Sequence, residues 1–222
     1  MAQKKSNSNI LILAVFIPIV LAVAGVLILT VFNNRVAESP TDDNSTPIAN
    51  SEGISIYNPP KPVHDFTMPA STGENVSLSD FRGKLVLIAF GYTRCPDVCP
   101  TNMLEYRKIK RFLNANADEV VFLFISVDGE RDTPSSLRDY MALYDASFIG
   151  LSGTDETLAP LMDDYGLYYG RIENPRAPQE YLIDHTATRF LIDKQGNLSR
   201  VYSYTTDARA ITRDILSILA GG

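Results

Sequence analysis

Thiols and imidazoles are scarce in this chain of 222 residues, which holds two cysteines, Cys95 and Cys99, and two histidines, His64 and His185. A closed structural zinc site wants four ligands, so spending all four of these residues on one is the only way to build it from sulfur and nitrogen. A purely stabilising disulfide between Cys95 and Cys99 would close a very short loop, where the entropic gain is small. Basic excess is also missing. The net charge is −6, and setting aside the two lysines of residues 1–32 takes it to −8. That balance argues against a nucleic-acid role and against attraction to anionic lipid, and leaves a basic protein partner open. No repeat of 20 to 50 residues is visible. The first nine residues carry lysine but no arginine, unlike an organelle presequence.

Charge is absent from one long stretch. Ile10 to Phe32 is 23 residues without a charged side chain, and at about 1.5 Å per residue it spans roughly 34 Å, enough for a hydrocarbon core of about 30 Å. Lys4 and Lys5 precede it, which places residues 1–9 in the cytoplasm and the rest outside. A cleaved signal peptide is the alternative, because Ala22-Val23-Ala24 offers small residues, but Gly25 to Phe32 stays apolar beyond it. Residues 33–60 are polar and rich in Ser, Thr, Asn, Asp and Pro, and read as a flexible tether. Residues 61–222 have the length of one domain with a sizeable core.

Within that domain strands and helices alternate. Lys84 to Phe90 and Val120 to Val127 are near-continuous apolar runs, as in strands buried on both faces. Pro100 to Ala115 has helical spacing, Thr133-Pro134 caps a helix to about Tyr144, and another runs from Thr154 or Asp155 to Tyr165, stopped by Gly166. Phe148 to Leu151 is a short strand; Ala187 to Ile192 and Leu198 to Tyr204 form a hairpin about Asp193–Asn197, and Asp207 opens a last helix. Asp65 to Met68 and Asn75 to Leu78 pair as an N-terminal β-hairpin. The order predicts an α/β domain of thioredoxin-like fold, with the thiols at the first β-to-α junction.

That junction carries the chemistry. In Gly91-Tyr92-Thr93-Arg94-Cys95-Pro96-Asp97-Val98-Cys99-Pro100, the proline predicts Cys99 at the helix N-cap and Cys95 in the loop before it, both partly exposed. A helix N-terminus favours thiolate, and Arg94 adds positive charge beside Cys95. Three residues separate the sulfurs where the redox motif Cys-x-x-Cys has two, which leaves a metal site open beside a redox role. His185, before the penultimate strand, can reach the pair in such a fold. His64, beside Val63 and Phe66 at the first strand, is read as structural. A peroxidase segment, Pro-x-x-x-Thr/Ser-x-x-Cys, is missing, since Tyr92 and Pro96 stand where Thr or Ser is needed.

The stretch 91–100, then Ser126-Val127-Asp128-Gly129-Glu130-Arg131-Asp132-Thr133-Pro134, then Gly150-Leu151-Ser152-Gly153-Thr154 and finally Asp184-His185 resemble, in order, the Sco/SenC family of copper-binding proteins. The resemblance covers about Pro62 to Ile218. It implies a membrane-tethered thioredoxin-like protein that assists assembly of the copper A centre of cytochrome c oxidase and binds Cu(I) or Cu(II) through two Cys and one His. On this chain Cys95, Cys99 and His185 match the metal ligands, and Asp128 matches an acid near the site that could equally be a strand-end turn residue. Arg131 to Pro134 serve the turn and the helix cap. Gly129 stands where the family commonly has proline, a change expected to loosen the turn. The implied partners are the copper A-bearing oxidase subunit, other copper chaperones or thiol reductants, and the membrane through the N-terminal helix, in a bacterial inner membrane with the domain on the periplasmic side; a mitochondrial inner membrane is the second option. The alternative functions are a thiol-disulfide oxidoreductase with Cys95 and Cys99 as its catalytic pair, or a copper or redox sensor.

Overall fold

The computed structural model describes residues 46–221, and the 10–32 segment expected to cross a membrane lies outside them. Among the described residues no helix is long and apolar enough to cross a membrane. The strands are β1 (Ile48–Ala49), β2 (Ile54–Lys61), β3 (Thr67–Pro69), β4 (Asn75–Ser77), β5 (Leu85–Gly91), β6 (Val120–Ser126), β7 (Ile149–Ser152), β8 (Tyr169–Ile172), β9 (Leu182–His185), β10 (Arg189–Ile192) and β11 (Leu198–Tyr202). The helices are α1 (Val98–Leu113), α2 (Pro134–Ala142), α3 (Asp155–Tyr165) and α4 (Ala208–Leu219).

Seven strands form one sheet in the order β1-β2-β11-β10-β5-β6-β7. β5, β6 and β7 run parallel, and β10 lies antiparallel against β5. Every residue of β5 is buried, so the sheet is covered on both faces as its unbroken apolar run predicts. Ring contacts show which helix lies where. Tyr106 of α1 meets Phe122, and Tyr140 of α2 meets Phe124, on one face; Tyr165 of α3 meets Phe90 and Phe190 on the other. α4 packs on α1. Two successive right-handed crossovers, β5-α1-β6 and β6-α2-β7, put α1 and α2 on the same side.

Local chemistry ends these elements where the sequence predicts. Thr133 caps α2 by accepting from Ser136 N at 3.2 Å, and Gly166 ends α3 at φ 58°. Asp207 caps α4 by accepting from Arg209 N and Ala210 N at 2.8 and 2.9 Å. The expected N-terminal hairpin is β3-β4.

Three expectations need correction. Residues 48–60, read as tether, carry β1 and most of β2, and β2 joins the main sheet beside β11. Pro59 and Pro60 disguise it: without N–H donors they cannot extend a ladder, and the β2–β11 register jumps between Ile56 and Lys61. The two-stranded hairpin β8-β9 was not expected, because Gly170 and the short strands leave little alternation to read. Helix α1 starts at Val98, which makes Asp97 the N-cap residue and Cys99 the second helical residue, with Pro100 still tolerated in the first turn. Replacing Asp207 by Ala removes both cap bonds of α4 and is expected to lower stability by about 1 kcal/mol, read as a lower urea midpoint with unchanged slope.

Candidate metal centre

The parallel strands β5 and β6 end side by side, with Gly91 paired to Ser126, and the thiol loop leaves from that edge. Gly91 is glycine for a steric reason. A Cβ there would lie 2.4 Å from Cys99 Sγ and 2.9 Å from Phe124 Cε2, so the sulfur occupies the space that any side chain would fill. The loop is then pinned by Asp132. This carboxylate is fully buried and accepts from Thr93 N at 2.8 Å, Thr93 Oγ1 at 2.6 Å and Ser126 Oγ at 2.7 Å. Three donors compensate a buried charge that would otherwise be costly.

His185 closes the site from the other side. It ends β9, and the Sγ atoms of Cys95 and Cys99 and a ring nitrogen of His185 all lie within 4.8 Å of one another. Nε2 is 3.4 Å from Cys99 Sγ. Nδ1 is 3.0 Å from the Thr186 carbonyl, which can only accept, so Nδ1 carries a proton and donates it. In the neutral ring Nε2 is therefore the free lone pair, turned toward the sulfurs. The ring stands edge-on to Tyr92, centroids 5.7 Å apart, and the Tyr92 hydroxyl accepts from Ile183 N at 3.1 Å. Tyr92 thus joins the thiol loop to the strand that carries the histidine.

A second anchor holds the base of that hairpin. Asp128 accepts from Arg131 Nε at 2.5 Å and from the Tyr181 hydroxyl at 2.6 Å, while Arg131 Nη1 donates to the Tyr181 carbonyl at 3.0 Å. Arg131 and Arg171 both stack on the Tyr181 ring, 3.4 and 3.5 Å from its centre. Asp128 therefore meets the site through Tyr181, four residues before His185, and its carboxylate is occupied by these partners.

The two thiols are unlike. Both are buried, Cys95 9 % exposed and Cys99 fully enclosed, where the sequence suggested partial exposure; His185, at the end of the unexpected β8-β9 hairpin, lies against the Cys99 sulfur. The Cys99 thiol donates to the Cys95 sulfur, which outweighs burial, and His185 and the N–H groups of Asp97 and Cys99 add to it, so Cys95 is lowered to about 3. Cys99 is pushed far up by that same donated bond, by burial and by the Cys95 charge, with Asp132 contributing. Burial depresses the His185 imidazole, but hydrogen bonds to Cys95 and Thr186 outweigh it and leave it above its ordinary value. Arg94, credited with favouring the thiolate, points to solvent, and the stabilisation comes from groups inside the site.

His64 is not brought to the thiols; its Nδ1 and backbone N bind Asp164 at 3.0 and 2.6 Å. Gly129 has a steric reason to be glycine. A Cβ there would come within 2.3 Å of the Gly153 carbonyl, so it is a point of close approach between the loops after β6 and β7.

The family profile described as SCO1/SenC matches residues 56–220. The chain belongs to the SCO1/SenC family. An SCO2-like protein of Rickettsia prowazekii is 34% identical over 146 residues, 66% of this chain and 71% of that protein. Among solved structures, the copper-bound ScoI of Bradyrhizobium japonicum has 33% identity and a TM-score of 0.64, covering 70% of this chain and 98% of that one. Yeast Sco1 with copper bound has 25% identity and a TM-score of 0.66, covering 73% and 91%. The α/β thioredoxin-like Sco fold is thus established for the described residues, and the Bradyrhizobium structure consists of little more than the matched domain.

The residues that sequence reading missed are Gly91, Tyr92, Thr93, Ser126, Asp132 and Tyr181. All but Tyr181 lie inside the motifs quoted above, where Asp132 is assigned to the turn and the cap, yet their roles at the site are contacts that residue type and spacing do not show. Reduced domain at pH 5–7 is expected to show one thiolate by absorbance near 240 nm, lost in Cys95→Ser; two protonated thiols across that range would contradict the asymmetry. Asp128→Asn leaves the buried Arg131 without its counter-charge and is expected to cost on the order of 3 kcal/mol, measured by denaturant unfolding.

Proposed function

We propose that this protein is a membrane-anchored copper carrier that binds copper through Cys95, Cys99 and His185 and serves assembly of the copper A centre of cytochrome c oxidase. The observation that carries this reading is the convergence of two sulfurs and one imidazole nitrogen within 4.8 Å. Two thiolates with an imidazole form a soft donor set that suits Cu(I), and with little change Cu(II). Copper-bound structures of relatives support the choice of metal. The copper is cargo. His185 offers Nε2 once its proton leaves, Cys95 is already ionised, and Cys99 must release its proton as the ion is taken up, so loading frees protons and weakens as pH falls. The 23 uncharged residues 10–32 support an anchor in a bacterial inner membrane, with the domain on the periplasmic side and the oxidase subunit that carries copper A as acceptor.

The contrast between the thiols favours one second activity. Cys95 as thiolate can attack an acceptor disulfide; Cys99 then displaces the acceptor from the mixed disulfide, which leaves a Cys95–Cys99 disulfide and a reduced acceptor dithiol. Two electrons pass from the pair to the acceptor. Such a step would prepare acceptor cysteines to receive copper, and an external thiol reductant would restore the pair.

Titrating Cu(I) and Cu(II) into the reduced domain tests the main reading. One copper per chain is expected, with sulfur-to-copper charge-transfer absorption for Cu(II), and His185→Ala should weaken binding by at least tenfold and shift that band. Unchanged affinity and spectrum in the variant would remove His185 from the ligand set, and no copper uptake with rapid disulfide reduction would leave the oxidoreductase.

A further inference from the structure

The negative net charge hides an uneven distribution. Four basic residues fall within five positions of α1, Arg107, Lys108, Lys110 and Arg111. Lys108 pairs with Glu105 and Lys110 with Asp145, but Arg107, Arg111 and Arg209 of α4 are exposed and form no ion pair among the described residues. Arg111 and Arg209 come together from different helices, both over the Phe112 ring at 5.3 and 4.7 Å from its centre. Leu104, 45% exposed, lies one turn from Lys108 on the same helix. The acids in the neighbourhood are engaged: Glu105 also accepts from Ala208 N, and Asp207 caps α4. Three exposed guanidinium groups without an ion pair, two of them stacked on Phe112, give an acidic domain a local basic surface suited to an anionic partner.

The course of the chain indicates which anion. One turn beyond Arg209, Arg213 pairs with Glu52 at 2.6 Å, and Thr206 Oγ1 donates to the carbonyls of Glu52 and Gly53 at 3.1 and 3.0 Å. The domain thus receives its N-terminal segment beside α4, at the margin of the basic face. Only residues 33–45 separate that segment from the uncharged stretch 10–32, a reach of at most about 45 Å. We propose that the face built from Arg107, Arg111 and Arg209 docks on the anionic phosphate headgroups of the bilayer in which the chain is anchored. This rests on the anchor reading of residues 10–32. Guanidinium groups suit the task because they bind phosphate oxygens in pairs. Cys99 lies eight to twelve residues up α1 from Arg107 and Arg111, roughly 12–18 Å along the helix, so docking would set the height and orientation of the thiol site above the membrane.

The test uses the domain of residues 46–222, sedimented with vesicles of phosphatidylcholine alone or of phosphatidylcholine mixed with phosphatidylglycerol, at low and at physiological salt. The expected result is partition to the mixed vesicles only, falling with salt. Arg107, Arg111 and Arg209 changed together to Gln should lower it by roughly 100-fold, whereas the triple change to Lys should keep most of it, with copper titration and circular dichroism unchanged in both. Equal partition to both vesicles, or a Gln variant that binds like the wild type, would overturn the proposal. So would a wild-type domain that ignores lipid but is retained on immobilised polyglutamate, which would assign the face to an acidic protein. Vesicle binding without copper binding would sink the copper reading alone, and recovery of the full chain from membranes without detergent would sink the anchor alone.

Discussion

The approach of the Cys99 sulfur to the end of β5 is the constraint on which the rest of the site depends. Because Gly91 has no side chain, the sulfur can lie against the strand and against Phe124, and α1 must then start where it does. The buried Asp132 carboxylate fixes the loop between strand and helix by taking both Thr93 donors and the Ser126 hydroxyl. Neither device touches an ion, yet together they determine where two thiols can be. A buried carboxylate with three donors is a rigid element, since leaving any donor unpaired in the interior is costly.

The histidine arrives by a different route. β8 and β9 stand outside the main sheet as a hairpin, held at its base by the Asp128, Arg131 and Tyr181 cluster and at its end by Tyr92. The hairpin brings the His185 imidazole to the two sulfurs. Burial alone would raise both thiols; the internal donor bond separates them, one ionised and one protonated. The proposed copper site and the proposed thiol exchange draw on the same pair: the ionised Cys95 is ready for either, whereas Cys99 must first lose the proton that it donates.

Charge behaves in the same way as burial, through placement and not amount. The total of −6 is a statement about the average, and it led to the expectation that anionic lipid would be avoided. Packing α4 on α1 brings Arg209 to Arg111 across Phe112, and a local basic face exists on an acidic domain.

Much of the fold could be read from local patterns. The apolar runs of β5 and β6 cannot be satisfied except in a sheet covered on both faces, and Thr133, Gly166 and Asp207 fix helix ends by chemistry confined to a few residues. The motif from Gly91 to Pro100 and the pair Asp184-His185 were enough to name Cys95, Cys99 and His185, because spacing and residue type are properties of the chain itself. What the sequence could not supply was contact across long separations. β2 was hidden because its prolines break a ladder whose partner, β11, lies about 140 residues away, and the roles of Asp132, Tyr181 and Tyr92 each rest on a bond to a residue 39 to 91 positions distant. By itself the sequence determined which atoms could bind a soft metal. The tertiary structure alone decided that they meet, that they are buried and that one thiol holds the other's charge, because each of these is a property of distance, and distance is fixed only by packing.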